Sequence, residues 1–111
     1  MRGKLKEKQI LVVIKEPGKA PTVEPLFDNT LESFQKAVGG YIETVTLATD
    51  LVLICNEEGR LLGLPFNVDV RGVSFVGTVV AAATKGDEFA SIKAQHIPMV
   101  LQLLGGATNG H

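Results

Sequence analysis

The sequence predicts an α+β domain of order β-α-β-β-β-β-α, a mostly antiparallel sheet with two helices packed on it. Three observations carry this reading. Apolar, β-branched runs at 9–14, 51–55 and 74–82 have the length of strands. Between the first two runs, a segment closed by Gly39 spaces its apolar residues as a helix does. A second helical segment lies between Ser91 and Leu104.

With 111 residues, 45% hydrophobic and 21% charged, the chain is expected to fold as one domain. Its net charge of −1 does not suit a nucleic-acid binder, whose affinity comes from neutralised phosphates. One cysteine excludes an internal disulfide, and no Cys/His cluster suits a metal, so no cofactor is expected. No leader precedes the first strand and no apolar run could span a bilayer, so the cytoplasm is the expected compartment.

Residues 1–8 carry Arg2, Lys4, Lys6 and Lys8 against Glu7 and read as a flexible, solubilising arm. The domain proper is expected over 9–104, with a flexible tail at 105–111. Residues 9–14 are a continuous apolar run, expected as a central strand covered on both faces. Pro17 and Gly18 stop it, and residues 22–27 are expected to cross in extended form, since Pro21 and Pro25 both argue against a helix there. Asn29 is the expected cap of the first helix, with Glu32 three residues on. Leu31, Phe34 and Val38 form its stripe and Gly39 its left-handed stop.

Residues 41–47 alternate, with Tyr41, Glu43, Val45 and Leu47 on one face and Ile42, Thr44 and Thr46 on the other. After a turn at Asp50 comes the buried strand 51–55. Asn56, Glu57, Glu58 and Gly59 read as a tight hairpin turn with positive φ at Gly59, and 60–64 as the returning strand. Residues 66–72 read as a polar loop and 74–82 as the last strand. Pro98 bends the final helix unless the helix starts there.

The chain offers no Gly-rich phosphate loop, since Gly39 and Gly40 follow a helix rather than precede one. The hairpin Asn56-Glu57-Glu58-Gly59-Arg60-Leu61-Leu62 is similar to one in nucleotide pyrophosphohydrolases. Those enzymes need a glutamate-dense helix for metal, and nothing after Gly63 supplies it. His96 lies near the final helix and Cys55 ends an apolar strand, both in structural settings. No catalytic residue is assigned. What remains is a polar set beside apolar strands: Tyr41, Glu43, Asn56, Glu57, Arg60, Asn67 and Arg71. It serves either as ordinary turns and wet strand faces or as a ligand- or partner-binding surface.

Several runs taken together resemble one family. They are Glu16-Pro17-Gly18, Gly39-Gly40-Tyr41-Ile42-Glu43, Cys55-Asn56-Glu57-Glu58-Gly59-Arg60-Leu61 and Gly63-Leu64-Pro65-Phe66-Asn67. Over residues 9 to 92 they resemble a small family of phages, plasmids and bacteria, a domain of unknown function numbered three-eight-four-six. The resemblance implies a mobile-element accessory protein and brings no reaction with it.

The expected function is a non-catalytic binding module acting on a host protein or sequestering a small nucleotide-like ligand. One alternative is a small hydrolase using Glu43 or Glu57, and another is a purely structural homo-oligomer. A homodimer through the C-terminal helix is expected, because Met99 and Leu103 form an apolar stripe beside Ile97, Val100, Leu101 and Leu104.

Overall fold

Strand β1 (Gln9–Lys15) buries residues on both faces, as its unbroken apolar run demands. It lies inside a sheet of order β2-β1-β7-β4-β3, in which every pairing is antiparallel. The neighbouring strands are β2 (Thr22–Asp28), β3 (Ile42–Ala48), β4 (Leu51–Asn56) and β7 (Val79–Lys85). Short β8 (Glu88–Ala90) pairs with the far end of β7. Strands β5 (Phe66–Val70) and β6 (Val73–Val76) form a separate hairpin, and the helices are α1 (Leu31–Val38) and α2 (Ile97–Gly105). This computed structural model describes residues 7–105.

The α+β class and the antiparallel sheet with helices on it hold. The basic arm and the tail fall largely outside the described residues.

The sheet is covered on both faces. On one face, Ile10, Val12, Val52, Ile54, Val80 and Ala82 pack on Phe34 and Val38 of α1. The Phe34 ring lies 4.9 Å from Phe27 and 4.8 Å from Phe89, centre to centre. On the other, Val13, Leu51, Leu53, Cys55, Val79 and Ala81 meet Val68, Val70 and Phe75 of the hairpin and Val100 and Leu104 of α2. β4 is buried along its whole length because both layers need it.

Several local expectations change. Residues 22–27 are not a crossing segment but the edge strand β2, paired with β1. The cap of α1 is Thr30, not Asn29: the Ser33 amide donates to Thr30 Oγ1 at 3.1 Å. Asn29 is instead buried, its amide donating to the Glu7 and Phe89 carbonyls. Leu31 is exposed, so Phe34 and Val38 carry the helix. Gly39 is the expected stop, with φ of 83°.

The largest change lies between 57 and 72. Residues 60–64 form turns, with Leu62 N donating to Glu58 O and Leu64 N to Gly59 O. The positive φ falls at Gly63, not Gly59. Residues 66–70, expected as loop, are β5, joined to β6 by the two-residue turn Arg71 and Gly72. Both turn residues have positive φ, 51° and 84°, the pattern whose twist suits a hairpin. The single strand expected over 74–82 breaks at Gly77 into β6 and β7. There φ is 72°, and a Cβ would sit 2.7 Å from Leu64 Cδ1.

At the C-terminus a 3-10 turn (Ala94–His96) leads into α2, so Pro98 lies in the first helical turn, where its missing donor costs nothing. Leu103, Leu101 and Ile97 pack on the core, so the outer apolar stripe expected of α2 reduces to Met99, 38% exposed.

Candidate functional site

Backbone pairing decides where the seven candidate residues go. Glu43 lies opposite Cys55 in the β3–β4 ladder, and the Glu57 amide extends that ladder by donating to the Tyr41 carbonyl at 2.8 Å. The chain then turns sharply, with Gly59 N donating to Asn56 O. The turn carries Glu57, Glu58, Arg60 and Leu61 alongside β6. The resulting recess holds about 250 Å3 and is lined by Glu43, Glu57, Glu58, Arg60, Leu61 and Ser74, with Cys55 and Phe75 at its apolar side.

Four of the seven candidates, Glu43, Asn56, Glu57 and Arg60, therefore line one recess. Asn56 is buried and fully engaged. Its Nδ2 donates to Val38 O at 3.1 Å and its Oδ1 accepts from Glu58 N at 2.7 Å, tying the end of α1 to the turn. Arg60 Nη2 donates to Ser74 O at 2.6 Å, which bridges the turn to β6. The three glutamates point to solvent. Burial first, and the Glu43 charge second, push the Cys55 thiol above its usual range, so it stays a neutral, packed thiol.

The other three candidates lie elsewhere. Tyr41 stands 68% exposed at the start of β3 and does not line the recess. Arg71 Nη1 donates to Leu47 O at 2.8 Å, near the other end of β3. Six residues of strand separate these two anchor points, about 20 Å. Asn67 is buried away from both: its Oδ1 accepts from Lys15 Nζ at 2.9 Å. Its Nδ2 donates to Lys15 O at 2.8 Å and Gly77 O at 2.7 Å. Lys15 also donates to Glu16 O, and burial lowers its pKa. The seven residues thus fall in four places, not one.

Sequence reasoning passed over two features. Leu61 and Leu62, expected on a returning strand, stand 87% and 57% exposed on the turn, and Phe66 is 58% exposed at the start of β5. A larger recess of about 760 Å3 lies at the β7–β8 turn, lined by Asp50, Lys85, Asp87, Glu88, Lys93 and their neighbours. It contains none of the predicted residues, and a 3.8 Å Lys93–Asp50 ion pair forms part of its wall. Its charges are spread around a short turn that carries no sequence signal of its own. Among the described residues no cluster of His, Cys, Asp and Glu could hold a metal, and no helix is long and apolar enough to cross a membrane.

No curated protein and no solved structure is significantly similar to the chain. Residues 9–105 match the family described as Domain of unknown function (DUF3846), which covers both layers of the sheet, the recess and α2. The chain therefore belongs to the DUF3846 family.

Proposed function

We propose that this chain is a binding module rather than an enzyme, a cytoplasmic accessory protein of a phage or other mobile element that acts on a host protein. The mobile-element setting rests on the family resemblance. The binding surface is the recess between β3, the 57–64 turn and β6. The observation that carries this reading is Leu61, a leucine almost fully in water at the rim of an acid-lined recess. Burying such a side chain is worth roughly 1.5–3 kcal/mol, and no described residue covers it, which leaves that burial to a partner. Glu43, Glu57 and Glu58 set the sign of the partner: a segment of protein that alternates basic and apolar residues. Arg60, already committed to Ser74 O, offsets one of the three charges.

The same carboxylates oppose a phosphate, which disfavours a nucleotide-like ligand. A hydrolase using Glu43 or Glu57 would need one of them shielded from water, and both are exposed. A structural homo-oligomer through α2 keeps Met99 in its favour and loses Leu103, which packs inward.

Fluorescence anisotropy with labelled Lys/Leu-rich peptides, and with labelled ATP alongside, tests the reading. Peptide binding that weakens with salt, and that weakens further in Glu57→Lys with Glu58→Lys and in Leu61→Ser, is the expected result. Tighter binding of ATP than of any peptide, or peptide binding indifferent to these substitutions, overturns it.

A further inference from the structure

We propose that the outer edge of β3 is the interface of a symmetric dimer, in which the β3 strands of two copies pair antiparallel and join two sheets into one. Among the described residues β3 closes the sheet on that side and pairs with β4 alone. The Glu57 amide donates to the Tyr41 carbonyl, so Tyr41, Glu43 and Val45 direct their backbone groups at β4. By the alternation of an antiparallel ladder, Ile42, Thr44 and Thr46 direct theirs outward. The register from Ile42 to Thr46 is unbroken, and the irregularity falls only beyond Thr46. Thr44 and Thr46 are exposed.

Sheets guard their free edges with proline, charge or irregularity. The opposite edge, β2, does so: Pro25 interrupts it and its pairing with β1 slips between Ile10 and Val12. β3 has none of these along its outward residues. Its sequence, Ile42-Glu43-Thr44-Val45-Thr46, is β-branched at four of five positions and carries one charge.

A second copy is the occupant this strand fits, because the strand is complementary to itself. With the two-fold axis at Thr44, Thr44 faces Thr44 and Ile42 faces Thr46, each pair exchanging both backbone bonds. Threonine pairs are favourable across strands. On the other face Glu43 stands opposite Val45, so no like charges are directly opposed. The same register sets Tyr41 of one copy opposite Leu47 of the other, whose carbonyl holds that copy's Arg71. Two candidate residues that one chain keeps at opposite ends of β3 become neighbours across the axis. This interface borders the recess: Glu43 and Val45 line it, whereas the outward-bonding Ile42, Thr44 and Thr46 do not.

Sedimentation velocity of the full chain at micromolar concentration, with amide hydrogen exchange, tests the proposal. Wild type is expected at twice the chain mass, with the Ile42, Thr44 and Thr46 amides protected. Thr44→Lys places two charges face to face, and Thr44→Pro removes a donor that the β3–β4 ladder does not use. Each should weaken the dimer roughly tenfold or more with the circular dichroism of the monomer retained. Met99→Glu should leave the dimer intact. A monomeric wild type, a dimer that survives both Thr44 substitutions, or one broken by Met99→Glu instead overturns the proposal.

Discussion

Two neighbouring stretches, 60–64 and 66–70, exchange the roles their side chains would suggest. The first holds three leucines, yet it forms turns and leaves Leu61 and Leu62 in water. The second holds Asn67 and Asp69, yet it forms β5 and buries Asn67, Val68 and Val70. The difference lies in hydrogen bonding. Asn67 goes inside because Lys15 Nζ, Lys15 O and Gly77 O satisfy its amide on every side. Leu61 and Leu62 stay outside because the turn bonds from Glu58, Gly59 and Arg60 fix the backbone there without a strand partner. A buried amide with all its bonds made marks a joint of the fold. A leucine stranded on a tight turn marks a surface with another use.

The sharpest way to break this contrast is Asn67→Leu. The substitution keeps the branched shape and removes every side-chain bond of Asn67, leaving the Lys15 ammonium with the Glu16 carbonyl alone and stripping the amide from the Lys15 and Gly77 carbonyls. A loss of about 3–5 kcal/mol is expected in urea denaturation. A loss below about 1 kcal/mol would mean that the β5–β6 hairpin is held by Val68, Val70 and Phe75 alone. Next in size is Gly77→Ala, where a positive φ and the 2.7 Å approach to Leu64 Cδ1 act together. The expected cost is about 2–3 kcal/mol. A neutral result would show that Leu64 moves freely and that the two stretches are not packed against each other.

Most of the sheet was legible because its strands announce themselves: β1, β3 and β4 have the apolar or alternating patterns their positions require. The β5–β6 hairpin was not. Its turn is Arg71-Gly72, and arginine at positive φ lacks the signal that Asn-Gly or Asp-Gly would give. β2 was hidden by Pro25, which an edge strand tolerates and a central one does not. At the candidate site, Glu43, Asn56, Glu57 and Arg60 were legible as a group because one ladder and one turn carry them. Asn67 and Arg71 were misplaced with them because their partners, Lys15 and Leu47, lie 52 and 24 residues away. No local pattern encodes such a distance.

A smaller effect separates the joint from the surface by pH. Burial lowers the Lys15 pKa from 10.5, so at neutral pH the folded state carries a penalised ammonium. As pH rises through the folded pKa, the folded chain gives up this proton while the unfolded chain still holds it. Stability should therefore rise with pH in that window and level off above 10.5. The comparison that isolates it is wild type against Lys15→Met, by thermal melts from neutral to alkaline pH. Wild type should gain on the variant as pH increases. An unchanging gap would place the ammonium in water.

The smallest expected effect on stability is the most informative about the surface. Leu61→Ser with Leu62→Ser removes two large apolar side chains, which in a core would cost several kcal/mol. Here both are already hydrated in the folded chain, and the turn bonds run through backbone atoms that serine keeps. The change in unfolding free energy should stay within about 0.5 kcal/mol. The unfolded chain loses exposed apolar surface to the same extent, so no large compensating term arises. Affinity for a basic, apolar partner segment should fall by roughly tenfold or more, since the burial these leucines await is lost. Differential scanning calorimetry and anisotropy on the same preparation read both quantities. A marked drop in melting temperature would return Leu61 and Leu62 to structural duty and erase the contrast with Asn67.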